Sequence, residues 1–191
     1  MRKWQRVGLA TALAVATAGS VTVAGGAADA QSNTNLATQP ASPNSRYETA
    51  TVAANKRVVL RFMQDVLNGH HGDHAVRYFT PGMSWHGGTV GTVTGSDNVA
   101  GLMTGVVTAI PDLHTEVQDI FGQNNEVVVR LVVTGTQQGP LLGIPASGRP
   151  VRWDAIDLYH LEGGKISEEW AGEDFVAFLN DTGTYKAPWI P

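Results

Sequence analysis

Apolar residues recur at helical spacing through TVAANKRVVLRFMQDVLNG, residues 51–69. Val52, Val59, Phe62, Met63, Val66 and Leu67 fall on one stripe, as a helix with one buried face requires. Thr51 is the expected cap and Gly69 the expected stop. DHAVRYF (73–79) predicts a short second helix that ends before Pro81. MSWHGG (83–88) predicts a strand entering a Gly-rich turn. SDNVAGLMTGVVTAI (96–110) predicts a third helix, capped by Ser96 or Asp97 and followed by Pro111.

The period then changes from helical to two. HTEVQDIF (114–121), EVVVRLVVTGTQ (126–137), PVRWDAIDLYHLE (150–162) and KISEEWA (165–171) are rich in β-branched and aromatic residues. Asn124-Asn125 and Gly163-Gly164 are the turn residues between them. EDFVAFLND (173–181) predicts a closing helix. Helices first and antiparallel strands after imply an α+β domain, a curved sheet wrapped over helices. Alternation assigns faces. Val127, Val129, Leu131 and Val133 share one side, with Arg130 on the other. Val151, Trp153, Ala155 and Asp157 oppose Arg152, Asp154 and His160. Ile166, Glu168 and Trp170 oppose Ser167, Glu169 and Ala171.

The first thirty residues follow a different logic. A basic start, MRKWQR, leads into an apolar, small-residue run that ends in Ala28-Asp29-Ala30. This predicts an export signal over 1–30, cleaved after Ala30, with an uncleaved membrane anchor as the alternative. The spacing of Arg2 and Arg6 gives a twin-arginine route little support. Residues 31–50 are polar and predict a flexible tether. The domain then spans 51–183, with a short tail at 184–191. The protein is expected outside the cytoplasm, periplasmic or extracellular.

Charge narrows the partners. The chain of 191 residues has 13 basic and 17 acidic residues and no Cys. Losing Arg2, Lys3, Arg6 and Asp29 with the signal leaves 10 and 16, a net of −6. That argues against nucleic acid and against anionic or stable membrane association. With no disulfides, the core alone must hold an exported domain together.

GPLLGIPASGRPVRWDAIDLYHLEGGKISEEW (139–170) resembles the signature of SnoaL-like polyketide and ester cyclases. FMQDVLNGHHGDHAVRYFTPGMSW (62–85) resembles that family's opening helix and first strand, and PDLHTEVQDIF (111–121) its second strand. The likeness covers roughly residues 55–183. It implies a cone-shaped, nuclear-transport-factor-two-like α+β fold around one apolar pocket. It also implies a homodimer through the sheet's outer face. Its well-studied cyclases close rings by intramolecular aldol chemistry without metal or cofactor, using a carboxylate on the last strand and a polar partner beside it. This chain departs from that pattern. Ala171 stands at the acid/base position, Asp157 at the partner position and Trp85 at a polar position of the first strand, while Glu169 stays polar.

Asp157 and Glu169 are therefore the candidate catalytic pair. A desolvated Asp157 would gain the raised pKa that proton transfer uses, and two close acids would share a proton. The plain alternative for each is a solvated or backbone-bonded charge. Trp85 and Trp153 would line a pocket for a small apolar or polyketide-like molecule, or simply fill the core. Gln137 would offer a hydrogen bond near the pocket mouth, or sit as a loop amide in solvent. Glu168, Trp170 and Arg130 point outward, where a dimer surface could use the last two. In GHHGDH, His70, Asp73 and His74 have metal-like spacing, but Gly72 breaks the segment, so no metal is expected. Of Trp85 and His86 only one can enter a cavity, and Trp85 is the choice. His114 and His160 are lone. No cofactor motif, serine elbow or phosphate loop is present. Two readings stand: a cofactor-independent enzyme acting on a small carbonyl compound, and a non-catalytic small-molecule binder, which Ala171 favours.

Overall fold

Thr49, two residues before the expected cap, starts the first helix by accepting the Val52 N–H at 3.2 Å. In this computed structural model, which describes residues 48–190, helix α1 runs Ala50–Phe62 and continues as a wide π turn, Met63–Leu67. The expected signal, 1–30, and nearly all of the tether lie outside the described residues. The stripe is buried as its spacing requires, with Leu67 only half-buried. The helix ends at Asn68, and the left-handed residue beyond it is His70 (φ 58°), not Gly69.

A 3-10 turn, Gly72–Arg77, replaces the expected second helix, and Phe79 already belongs to strand β1, Phe79–His86. Pro81 is tolerated inside β1 because the ladder to its neighbour is interrupted between Phe79 and Ser84. A three-residue strand, β2 (Thr92–Thr94), was not foreseen; it pairs antiparallel with β1. Helix α2, Ser96–Ala109, has Gly95 at its cap position, and neither Ser96 nor Asp97 caps it. The remaining elements are β3 (His114–Gln123), β4 (Glu126–Thr136), β5 (Pro150–Glu162), β6 (Lys165–Glu173) and α3 (Phe175–Thr182). Asn124 (φ 53°) and Gly163-Gly164 (φ 56° and 78°) supply the left-handed turns of the two hairpins.

The strands form one sheet in the order β2-β1-β6-β5-β4-β3, antiparallel except for β1 with β6. This is the α+β domain the pattern implied. Strict alternation holds along β4 and β5: every odd-numbered residue from Val127 to Val133 and from Val151 to Leu161 is buried. Along β6 it does not. Ile166 pairs with Leu161 and Glu168 with His160, so Ser167 is an extra residue, a bulge. The bulge lets Ile166 and Glu169 point to the same buried side. Ile166 is therefore not on the face of Glu168 and Trp170.

Helices and sheet share one core, in which Val59, Phe62, Val99 and Met103 meet the buried row of β4. The Phe62 ring lies 5.4 Å from Phe79 and 6.3 Å from Tyr159. Truncating such a ring to Ala costs about 3–5 kcal/mol. Asn68 ties the end of the first helix to the sheet, accepting from the Thr115 N–H at 2.7 Å and donating to its carbonyl at 3.0 Å. Beyond α3, Ala187 is fully buried, so the tail also packs on the domain.

Candidate active site

The inward rows of β5 and β6 bring three carboxyl groups to one cavity of about 80 Å³. Asp157 comes from β5, and Glu169 and Glu173 from β6. Across the ladder Ala155 faces Glu173, Asp157 faces Ala171 and Tyr159 faces Glu169. Asp157 and Glu169 are buried, at 4% and 5% exposure, and Glu173 is half-buried. Trp85 and Trp153 also line the cavity, as the alternation predicted. The rest of the wall is apolar or aromatic apart from Tyr159 and Thr115, and includes Phe62, Met103, Leu131 and Phe175.

Hydrogen bonds to the acids are few. The Tyr159 hydroxyl donates to Asp157 Oδ2 at 3.4 Å, and the Trp153 indole N–H donates to Glu173 Oε2. Asp157 Oδ1 and Glu169 Oε2 are buried with no partner. Burial is the largest influence on all three and disfavours their ionised forms. It pushes Glu169 up to about 8, reinforced by the neighbouring Glu173 charge and opposed by the Tyr159 hydroxyl. It pushes Glu173 up to about 7, opposed by the Trp153 bond. Asp157 is raised well above the usual carboxylate range, by burial first and then by the Glu173 and Glu169 charges. Burial raises Tyr159 as well.

Trp85 keeps its place because residue 87 has no side chain: a Cβ on Gly87 would collide with the indole ring. The next residue, His86, turns to the other face and stacks on Trp170 with ring centroids 5.1 Å apart.

Gln137 is neither a cavity residue nor a solvent amide. It is fully buried, and its side chain staples the loop between β4 and β5. Nε2 donates to the carbonyls of Gly139, Ile144 and Pro145, and Oε1 accepts from the Ser147 N–H. The strand ends at Thr136, so the alternation that put Gln137 in register with the inner row no longer applied.

Glu173 is the site residue the sequence reading missed. GEDF reads as a helix start, yet β6 runs through Glu173, and Asp174 caps α3 by accepting the Ala177 N–H. Its position two residues past Ala171 was the available signal. The histidine cluster differs from its spacing too. His70 Nε2 lies 2.8 Å from the Leu113 carbonyl, while His71 and His74 both meet Asp65 Oδ1, at 3.1 and 3.0 Å. Tyr78 donates to the other oxygen of Asp65. These bonds, His74 foremost, hold Asp65 down at about 2. Asp65 is thus the centre of a hydrogen-bond hub outside the cavity lining.

Fold and site together define a class: an α+β cone of helices and one mixed sheet around an apolar, carboxyl-bearing cavity. The family model for SnoaL-like polyketide cyclase matches residues 57–182, and the chain belongs to this family. No curated protein matches the sequence. Among solved structures, a candidate SnoaL-like polyketide cyclase from Jannaschia sp. CCS1 is 23% identical with a TM-score of 0.68, covering 74% of this chain and 99% of its own. AclR from Streptomyces galilaeus, a candidate hydroxylase, is 24% identical with a TM-score of 0.62, covering 71% and 99%. IdmH from Streptomyces antibioticus, a candidate polyketide cyclase, is 23% identical with a TM-score of 0.57, covering 68% and 98%. Likeness at this level carries the fold; the reaction must be argued from the site.

Proposed function

We propose that this protein is a cofactor-independent enzyme that moves a proton on a small carbonyl compound, in the manner of its cyclase family. One observation carries the reading: three carboxyl groups converge on a single apolar cavity, with raised proton affinities. Groups that titrate at about 7 and about 8 present both an acid and a base near neutral pH. In the ionised form, one carboxylate of the cluster takes a proton α to the carbonyl. The C–H electron pair moves into an enolate, whose oxygen receives the proton of a neighbouring neutral carboxyl. In one outcome the α carbon takes its proton back from the former base while the enol O–H proton returns to the ionised acid, which exchanges the hydrogen or inverts that centre; in the other the enol carbon attacks a second carbonyl of the same molecule, whose oxygen takes the proton from the former base as the O–H proton returns to the acid, which closes a ring. Asp157 and Glu169 are the assigned proton-transfer pair, with Glu173 the neighbouring charge that raises both, and Trp85 and Trp153 orient the apolar part of the substrate.

The expected setting is outside the cytoplasm, as a homodimer. Exposed Phe121, Ile156 and Trp170 on the sheet's outer side support that pairing. Light scattering of wild type and Ile156→Arg checks it: a dimer that turns monomeric agrees, and a wild-type monomer does not.

Deuterium exchange into cyclopentanone, followed by proton NMR in buffered D2O, tests the chemistry without knowing the substrate. Wild type should exceed buffer by about a hundredfold, and Asp157→Asn should abolish the excess. Exchange no faster than buffer would leave the non-catalytic binder as the reading.

A further inference from the structure

One proton-transfer pair needs two carboxyl groups, and the cavity holds three, with no Lys, Arg or His on its wall among the described residues. Two carboxyl oxygens, Asp157 Oδ1 and Glu169 Oε2, are buried and unpartnered. A carbonyl oxygen accepts from one neutral carboxyl and offers no counter-charge to the other two when they ionise. The aromatic rings of Trp85, Trp153 and Tyr159 stand on the same wall, and ring faces attract cations. A small, mostly apolar cation satisfies both features at once.

We propose that the ligand of this cavity carries a basic amine and is held as an alkylated ammonium, against the carboxylates of Glu169 and Glu173 and the faces of the tryptophans. The proposal rests on the reading of the cavity as a substrate site and names the substrate's class. It does not require the catalytic step. A positive charge at this point relieves the mutual repulsion of the acids, and it lowers proton affinities that burial has raised. Binding and proton release are therefore linked. The groups that share the linkage are Asp157, Glu169, Glu173 and Tyr159. The wall contributed by α1, β1, α2, β4, the 139–142 loop and α3 is uncharged.

The experiment uses tetramethylammonium, whose charge does not titrate, against tert-butanol as a neutral molecule of similar size. Binding to the purified chain is followed by the indole signals of Trp85 and Trp153 in NMR, at pH 6 and pH 8.5, in amine-free buffer. Tetramethylammonium should bind at pH 8.5 and weaken by at least about tenfold at pH 6, because groups near 7 and 8 then hold their protons. Glu169→Gln should weaken it by a similar factor and leave tert-butanol unaffected. Glu173→Gln serves the same purpose should the first variant fold poorly, since residue 173 is half-buried. Tert-butanol binding as tightly as the cation, an affinity indifferent to pH, or no cation binding would each overturn the proposal. The two ideas separate cleanly. Ketone exchange without cation binding sinks only the amine, and cation binding without exchange sinks only the catalysis.

Discussion

Asp157 and Ala171 face each other directly across the β5–β6 ladder. Ala171 places a methyl between the two carboxyl groups of its own inward row. Asp157 lies opposite, and Glu169 and Glu173 lie two residues before and after on the same inward row. Adding a carboxyl at 171 would crowd a fourth buried acid into the cluster. Ala171→Asp should therefore lower stability, and more at pH 9 than at pH 5, where the acids are neutral. Thermal melts at the two pH values check this.

The native chain itself should be more stable below neutral pH. Glu169 and Glu173 titrate at about 8 and about 7 in the folded protein, above their ordinary value of 4.5. The folded state thus holds protons that the unfolded state has released. That contribution is complete below about pH 4.5 and is lost as pH rises through 7 to 8. Urea midpoints should fall between pH 5 and pH 9, and Glu169→Gln should flatten part of the slope. Asp65 acts in the opposite sense and in a separate window: its depressed value is lost only as pH drops from about 4 toward 2.

Glu173→Gln should ease the ionisation of Glu169. The Glu173 charge stands second only to burial in raising Glu169. Carbon-13 titration of the Glu169 carboxyl should move down from about 8 in the variant. An unmoved titration would show that the two groups are not close enough to couple.

Gly87→Ala should displace Trp85. The added methyl would fall on the indole ring, which must swing into the cavity or out of it. Tryptophan fluorescence should shift, and ligand affinity should fall with little loss of helix content by circular dichroism.

Gln137→Ala should cost about 1–3 kcal/mol in urea unfolding, because it removes the partner of the Gly139 and Pro145 carbonyls and the Ser147 N–H, which are only partly buried. Cavity chemistry should survive in the fraction that remains folded.

How much of this was legible depends on regularity. Asp157 was readable because β5 alternates without a break for its whole length. Glu169 was placed on the right face, although the register before it is broken at Ser167, an extra residue that no local pattern announces. Glu173 was hidden because a Gly before two acids reads as a helix start, whereas tertiary pairing with Ala155 draws it into the strand. The strand Thr92–Thr94 was too short to show a period. Gln137 shows the reverse error: its spacing matched the inner row, and its amide went to the loop instead.

The parallel pairing of β1 with β6 joins residues 79–86 to residues 166–170, nearly the two ends of the folded domain. Every other ladder closes between strands adjacent in sequence. The hairpins carry a low cost of loop closure, and the β1–β6 seam carries the highest of the ladders among the described residues. Trp85 and Glu169 are partners across that seam. The cavity wall is thus completed by the pairing with the largest separation in sequence, which needs nearly the whole domain to be present.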